Sequence, residues 1–213
     1  RGMPGNWKFE ELNFKELKSN DLVEIYEDFI EEVNVNNMGF IEMEREGSTI
    51  FQIGKYRVVV TRPPFSNCWE ITAVRPIKKL QLNDYKISEK LKKRIAEQAE
   101  GILISGSPGE GKSTFASALA EYYSEHGKIV KTVEAPRDLQ LNDKIVQYSL
   151  KDNSEEIHDV LLLSRPDYTI FDEIRNYKDF ELFSDLRLSG IGLAGVVHAT
   201  TPIDAIQRFI GKT

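Results

Sequence analysis

The hydrophobic period changes along this chain, and the changes divide it. Between residues 21 and 33 the apolar positions are Leu22, Ile25, Tyr26, Phe29, Ile30 and Val33, one face of an α-helix. Asn20 is the expected cap, and Glu24 and Glu27 suit the early turns, where the helix end is positive. Four strand-like runs follow, at 38–43, 49–53, 56–61 and 69–74, with turns at Gly47-Ser48 and Gly54-Lys55. A helix followed by four short strands predicts an antiparallel sheet with one helix against a face, an α+β unit over residues 1–80. The polar stretch 81–87 reads as a linker, and 88–98 as a helix capped by Ser88, with Leu91 and Ile95 on one face. Beyond it, apolar runs at 101–105, 128–133, 168–171 and 194–198 alternate with helical stretches at 112–125, 155–164, 177–188 and 202–209. That alternation predicts an α/β domain over 88–213, a parallel sheet with crossover helices.

The first of those strands runs into Gly106-Ser107-Pro108-Gly109-Glu110-Gly111-Lys112-Ser113-Thr114. The spacing is GxxxxGKS, and strand, glycine loop and helix is the context this motif requires. Glycines let successive backbone N–H groups converge on an anion, and the helix N-terminus adds a favourable field. Lys112 is placed to reach the β- and γ-phosphates of a nucleotide such as ATP, and the Ser113 hydroxyl to ligate Mg²⁺. Ala116, Ala118, Leu119, Ala120 and Tyr123 are the inward positions of the helix.

Three further strand ends add chemistry. The run 168–171 exits into Asp172-Glu173. Asp172 suits Mg²⁺, a hard ion that takes oxygen ligands, and Glu173 suits orienting the attacking water. Glu134 and Asp138 follow the 128–133 strand; a nucleotide-edge role and a plain capped turn weigh equally there. His198 ends the 194–198 strand at the same sheet edge, within reach of a γ-phosphate, Glu173 or Glu134. Thr200 and Thr201 are expected to do similar work or to cap the helix near Pro202. Arg75, Arg137, Arg175, Arg187 and Arg208 are all possible stabilisers of transition-state charge, of which only one or two should serve.

Composition narrows the picture less than the motifs do. A net charge of −6 offers no support for a broad nucleic-acid or anionic-membrane surface. Cys68 is the single cysteine, so no intramolecular disulfide forms, and a reducing compartment, the cytoplasm, is expected. No apolar run approaches the ~20 residues of a membrane span.

The set 106–114, Thr132-Val-Glu134-Ala-Pro-Arg-Asp138, Asp172-Glu173-Ile-Arg175 and Gly195-Val-Val-His198-Ala-Thr200 resembles the secretion-type ATPase superfamily of type II and IV secretion, type IV pili and archaella. Its members carry a Walker A loop, an Asp box, a Walker B acid pair and a His box in that order. The resemblance covers roughly residues 38–210. It implies an N-terminal domain, a short linker and a RecA-like P-loop ATPase domain, assembled as a homohexamer. It further implies Lys112 and Ser113/Thr114 as Walker A residues, Glu134 and Asp138 as Asp-box acids, and Glu173 as the catalytic carboxylate. His198 becomes the His-box residue, Arg175 follows the acid pair at the family's spacing, and Arg75 matches an arginine that meets phosphates when the two domains close. Ala135 departs from the pilus motors, many of which have a second acid there.

Residues 62–66, 69–76, 165–173 and 203–210 resemble more narrowly an archaeal branch that adds a PIN domain before this core and a KH-type domain after it. That branch includes a motor acting on four-way DNA junctions. The ATPase domain is therefore expected to continue past Thr213. Two readings follow within one class: a DNA-junction remodelling motor, and a motor working on a membrane-embedded pilus or secretion platform. A small-molecule P-loop kinase leaves His198 and the N-terminal domain unexplained. A nucleotide switch that barely turns over has no need of Glu173.

Overall fold

The computed structural model describes residues 11, 17–35, 39–75, 79–97, 100–137, 139–150 and 153–210. The chain divides into two compact units, Arg1–Lys78 and Lys79–Thr213, each with its own core. In the first, helix α1 (Ser19–Asn34) packs on a four-stranded antiparallel sheet of β1 (Gly39–Arg45), β2 (Ser48–Ile53), β3 (Tyr56–Thr61) and β4 (Glu70–Val74), ordered as in sequence. Phe51, Val58 and Val60 point inward from the sheet to meet Tyr26, Phe29, Ile30 and Val33 of α1. Tyr26 meets both Phe51 and Trp69 edge-on, with centroids 5.8 Å apart, the arrangement the ring quadrupoles favour. The expected cap at Asn20 is displaced, because the helix starts at Ser19 and takes Asn20 into its first turn. The Asp21 carboxylate instead reaches back to accept the Lys18 backbone N–H at 2.6 Å. Met38, read as the start of β1, lies outside the described residues.

The second unit is a parallel five-stranded sheet between two helical layers. Its strands are β5 (Gly101–Gly106), β6 (Val130–Glu134), β7 (Val146–Ser149), β8 (Tyr168–Phe171) and β9 (Gly192–His198), in the order β5-β9-β8-β6-β7. Alternate residues of a strand face opposite layers. Ile104, Ile170, Ala194 and Val196 meet helix α3 (Lys112–Glu125), while Val133, Phe171, Leu193 and Val197 meet α4 (Ser154–Ser164) and α5 (Tyr177–Leu188). All five inward positions expected on α3 are buried. Helix α6 (Pro202–Ile210) closes the described chain; Thr201 Oγ1 accepts the Asp204 N–H and Asp204 returns the bond to the Thr201 N–H, so the threonine caps it.

Two details differ from the sequence pattern. Helix α2 (Glu89–Glu97) is capped by Ser88 Oγ as expected, but only Ile95 is buried, and Leu91 is 44% exposed. The stretch read as a linker is packed on α3: a 3-10 turn (Leu82–Asp84) buries Leu82 in the α3 core, and Tyr85 meets Phe115 edge-on at 4.9 Å.

Candidate active site

In a parallel sheet every strand delivers its C-terminal end to one edge, where open α/β folds bind ligands. The register makes this concrete. Gly106 at the end of β5 pairs with His198 at the end of β9, Phe171 of β8 pairs with Gly195 of β9, and Val133 of β6 pairs with Phe171. The ladder carries past the strands, since the Asp172 N–H reaches the Val133 carbonyl at 3.0 Å and the Ile174 N–H reaches the Val196 carbonyl at 2.8 Å. Backbone pairing thus sets the phosphate loop, His198 and Asp172-Glu173 on adjacent strand ends.

The loop spans the gap between β5 and α3. Gly109 and Gly111 have φ of +83° and +81°, conformations that a side chain would strain, which is why glycine stands at both. Lys112 is buried and its Nζ donates to the Ser107 carbonyl at 2.8 Å. Glu110 turns back over the loop, where its Oε2 accepts the Ser107 N–H at 2.6 Å. The loop therefore holds an internal carboxylate against one of its own amides, an arrangement that residue spacing does not reveal.

Glu173 is gripped from two sides. Its Oε1 meets His198 Nε2 at 2.8 Å, and its Oε2 accepts from the Arg175 guanidinium. His198 Nδ1 is buried and meets no hydrogen-bond partner among the described residues, so Glu173 is what orients the ring. The bond to Glu173, with the charges of Glu173, Asp179 and Asp172 nearby, outweighs partial desolvation, raises the Arg175 pKa and keeps the half-exposed guanidinium a cation. The backbone beneath is anchored: Asp179 Oδ2 accepts the N–H groups of Arg175 at 2.9 Å and Asn176 at 3.1 Å, and Asn176 Oδ1 caps α5 by accepting the Asp179 N–H. Any release of Glu173 by Arg175 is thus a side-chain rotation about a fixed backbone. The Asn176/Asp179 spacing is a capping-box variant that could have been read from sequence.

Glu134 has another environment. It is fully buried, accepts from Thr132 Oγ1, the Leu139 N–H at 3.0 Å and Gln147 Nε2 at 2.8 Å, and so binds its own loop to β6 and β7. Of the two readings weighed for Glu134, a nucleotide-edge role and a capped turn, these partners tie its carboxylate to its own loop and to Gln147 of β7. Asp138 lies outside the described residues. Arg75, in the first unit, is exposed at the end of β4, with its guanidinium 5.6 Å from the Tyr56 ring centroid and 3.3 Å from the Tyr56 hydroxyl. Arg187 pairs with Glu100 at 2.6 Å, a surface role.

For the metal, Ser113 is exposed at the first turn of α3 and Asp172 stands at the exit of β8. A hydroxyl and a carboxylate are hard oxygen donors of the kind Mg²⁺ takes with waters and phosphate oxygens, so the donor set fits.

Residues 49–211 match the family model described as "Type II/IV secretion system protein". The Holliday junction branch migration ATPase PINA of Sulfolobus acidocaldarius is 55% identical over 214 residues, covering 100% of this chain and 42% of that protein. An uncharacterised KH- and PIN-domain-containing protein of Methanocaldococcus jannaschii is 52% identical over 213 residues, covering 100% of this chain and 33% of that protein. The chain thus spans less than half the length of these curated relatives. Among solved structures, the pilus retraction motor PilT with bound ADP superposes with a TM-score of 0.67 over 89% of this chain and 57% of that one, at 19% identity, which supports the RecA-like fold alone. With the family model matched over 49–211, the chain belongs to the type II/IV secretion system protein family, a family of ATPases.

Proposed function

We propose that this chain carries the Mg²⁺-dependent ATP-hydrolysing machinery of a cytoplasmic homohexameric motor that remodels branched DNA. The observation that carries the hydrolytic part is the alignment of Gly106, His198 and Asp172-Glu173 on adjacent strand ends. ATP binds with its phosphates in the 106–113 loop, and Lys112 exchanges the Ser107 carbonyl for phosphate oxygens. Ser113 and Asp172 would hold Mg²⁺, which would supply charge neutralisation on the phosphates. Glu173 orients the attacking water once an oxygen of its carboxylate is given up by Arg175, whose guanidinium turns to the γ-phosphate. His198 keeps its hold on the other oxygen and aims the carboxylate. Glu134 acts as a positioning residue through its loop, and Arg75 reaches the phosphates from the first unit on closure.

Glu173→Gln should retain ATP binding and lower turnover by about 100-fold or more, the usual contribution of a positioned base. Wild-type turnover in that variant would remove Glu173 from its role.

The DNA part rests on the 55% identity across the whole chain to a protein named as a junction branch migration ATPase. Its test is ATP-dependent branch migration of a four-way junction by the full-length protein. The second reading, a pilus, archaellum or secretion motor, is favoured by the family and by the PilT-like fold. It requires recruitment to a membrane platform, and no helix among the described residues is long and apolar enough to cross a membrane.

A further inference from the structure

Resting on the phosphate-loop reading, we propose that Tyr85 and Phe115 form the subsite for the nucleotide base, an aromatic corner that takes a stacked heteroaromatic ring. The sheet order gives the direction. Catalytic Glu173 follows β8 and His198 ends β9, so the γ-phosphate end of a bound triphosphate points from the loop toward those strands. The nucleoside end then leaves on the other side, toward β5 and the first turn of α3. Phe115 stands there: its N–H donates to the Gly111 carbonyl at 2.9 Å, fixing it about 6 Å along the helix from the last loop glycine.

The two rings stand at 88° with centroids 4.9 Å apart. Perpendicular rings make an inside corner, where a third ring stacks on one face and meets the other edge-on, both favoured geometries. Tyr85 is only half-buried, and among the described residues no hydrogen bond engages its hydroxyl. The turn beneath it is built to stay put. The Tyr85 N–H donates to the Leu82 carbonyl at 3.3 Å and its carbonyl accepts the Ile87 N–H at 2.9 Å, while Leu82 and Ile87 are seated in the α3 core. A preorganised aromatic surface loses little freedom when a ring docks on it. Burial, then the charge of Asp84, raises the Tyr85 pKa, so its hydroxyl remains a donor for a ring nitrogen or carbonyl.

The test compares ATP with inorganic tripolyphosphate, which offers the same phosphates and no base, by calorimetry on the whole chain with Mg²⁺. Tyr85→Leu keeps apolar packing against Phe115 and removes the aromatic face. It should weaken ATP about tenfold, the effect of losing one base–aromatic stack, and leave tripolyphosphate unchanged. Tyr85→Phe should lose much less. Retained tripolyphosphate affinity also shows that the variant is folded. Unchanged ATP affinity, or equal weakening of both ligands, overturns the subsite. Lys112→Ala is the separate control: it should abolish binding of both ligands, and if it does not, the phosphate-loop reading itself falls.

Discussion

Glu110 is the residue whose chemistry cuts against its setting. It is an exposed carboxylate inside a loop built to attract anions, and it holds the Ser107 N–H at 2.6 Å. Phosphate brought to that amide must displace it and tolerate its charge. Glu110→Gln keeps an acceptor of the same size and removes the charge, so ATP and ADP affinity should rise about two- to fivefold, and less at high salt, where exposed charges are screened. A titration showing weaker binding would mean that the carboxylate shapes the loop rather than competing for it. Residues of this kind also mark the limit of what the chain discloses in one dimension. The glycines, Lys112 and Ser113 were legible because their demand is local: a positive φ at Gly109 and Gly111 admits little else. The grip of Arg175 on Glu173 was not, because it depends on side-chain rotamers over a backbone that Asp179 pins.

The element that connects most of this unit is α3, and Glu121 is its tie. Among inward-facing Ala118, Leu119, Ala120 and Tyr123, its carboxylate is nearly buried and accepts from Lys79 Nζ, the Asn142 N–H and Asn142 Nδ2, each at 2.7 Å. It thereby joins the beginning of the second unit, the phosphate-loop helix and the segment leading into β7. Burial alone would raise the Glu121 pKa, but the hydrogen bonds from Lys79 and Asn142 and the Lys79 charge outweigh it, and the net shift is downward from 4.5. A depressed folded-state pKa means stabilisation that is present above the unfolded-state value and lost as pH falls through the folded-state one. Glu121→Gln should cost about 1–2 kcal/mol at pH 7, kept modest because Lys79 is half-exposed. Its melting temperature should converge on wild type as pH falls below 4.5 and through the depressed folded-state value. A gap that persists in acid would locate the effect in packing. An acid among inward helix positions is a signal visible in sequence, whereas β7 was not, because Val146-Gln147-Tyr148-Ser149 is too short to show a period. Missing β7 also hid the environment of Glu134, whose partner Gln147 it supplies.

At the scale of the whole chain, the separate cores of the two units make nucleotide response a question of location. Binding stabilises what it touches, by about 2.7 kcal/mol when ligand stands at 100 times its Kd. Hydrogen exchange should therefore slow in ADP over the loop and first turn of α3, residues 106–115, in the second unit. A non-hydrolysable ATP analogue should add protection at 172–175 and 198, if the γ-phosphate draws Arg175 away from Glu173 as proposed and reorganises that edge. The end of β4 is the informative segment. Arg75 there is exposed, held among the described residues by the Tyr56 ring and hydroxyl, which leaves its guanidinium accessible to an anion. If closure brings it to the phosphates, residues 72–75 gain protection with the analogue and not with ADP, and Arg75→Ala abolishes that gain while leaving protection of the loop intact. Exchange at 72–75 that is the same in both nucleotides would remove Arg75 from the site and leave hydrolysis to the second unit alone.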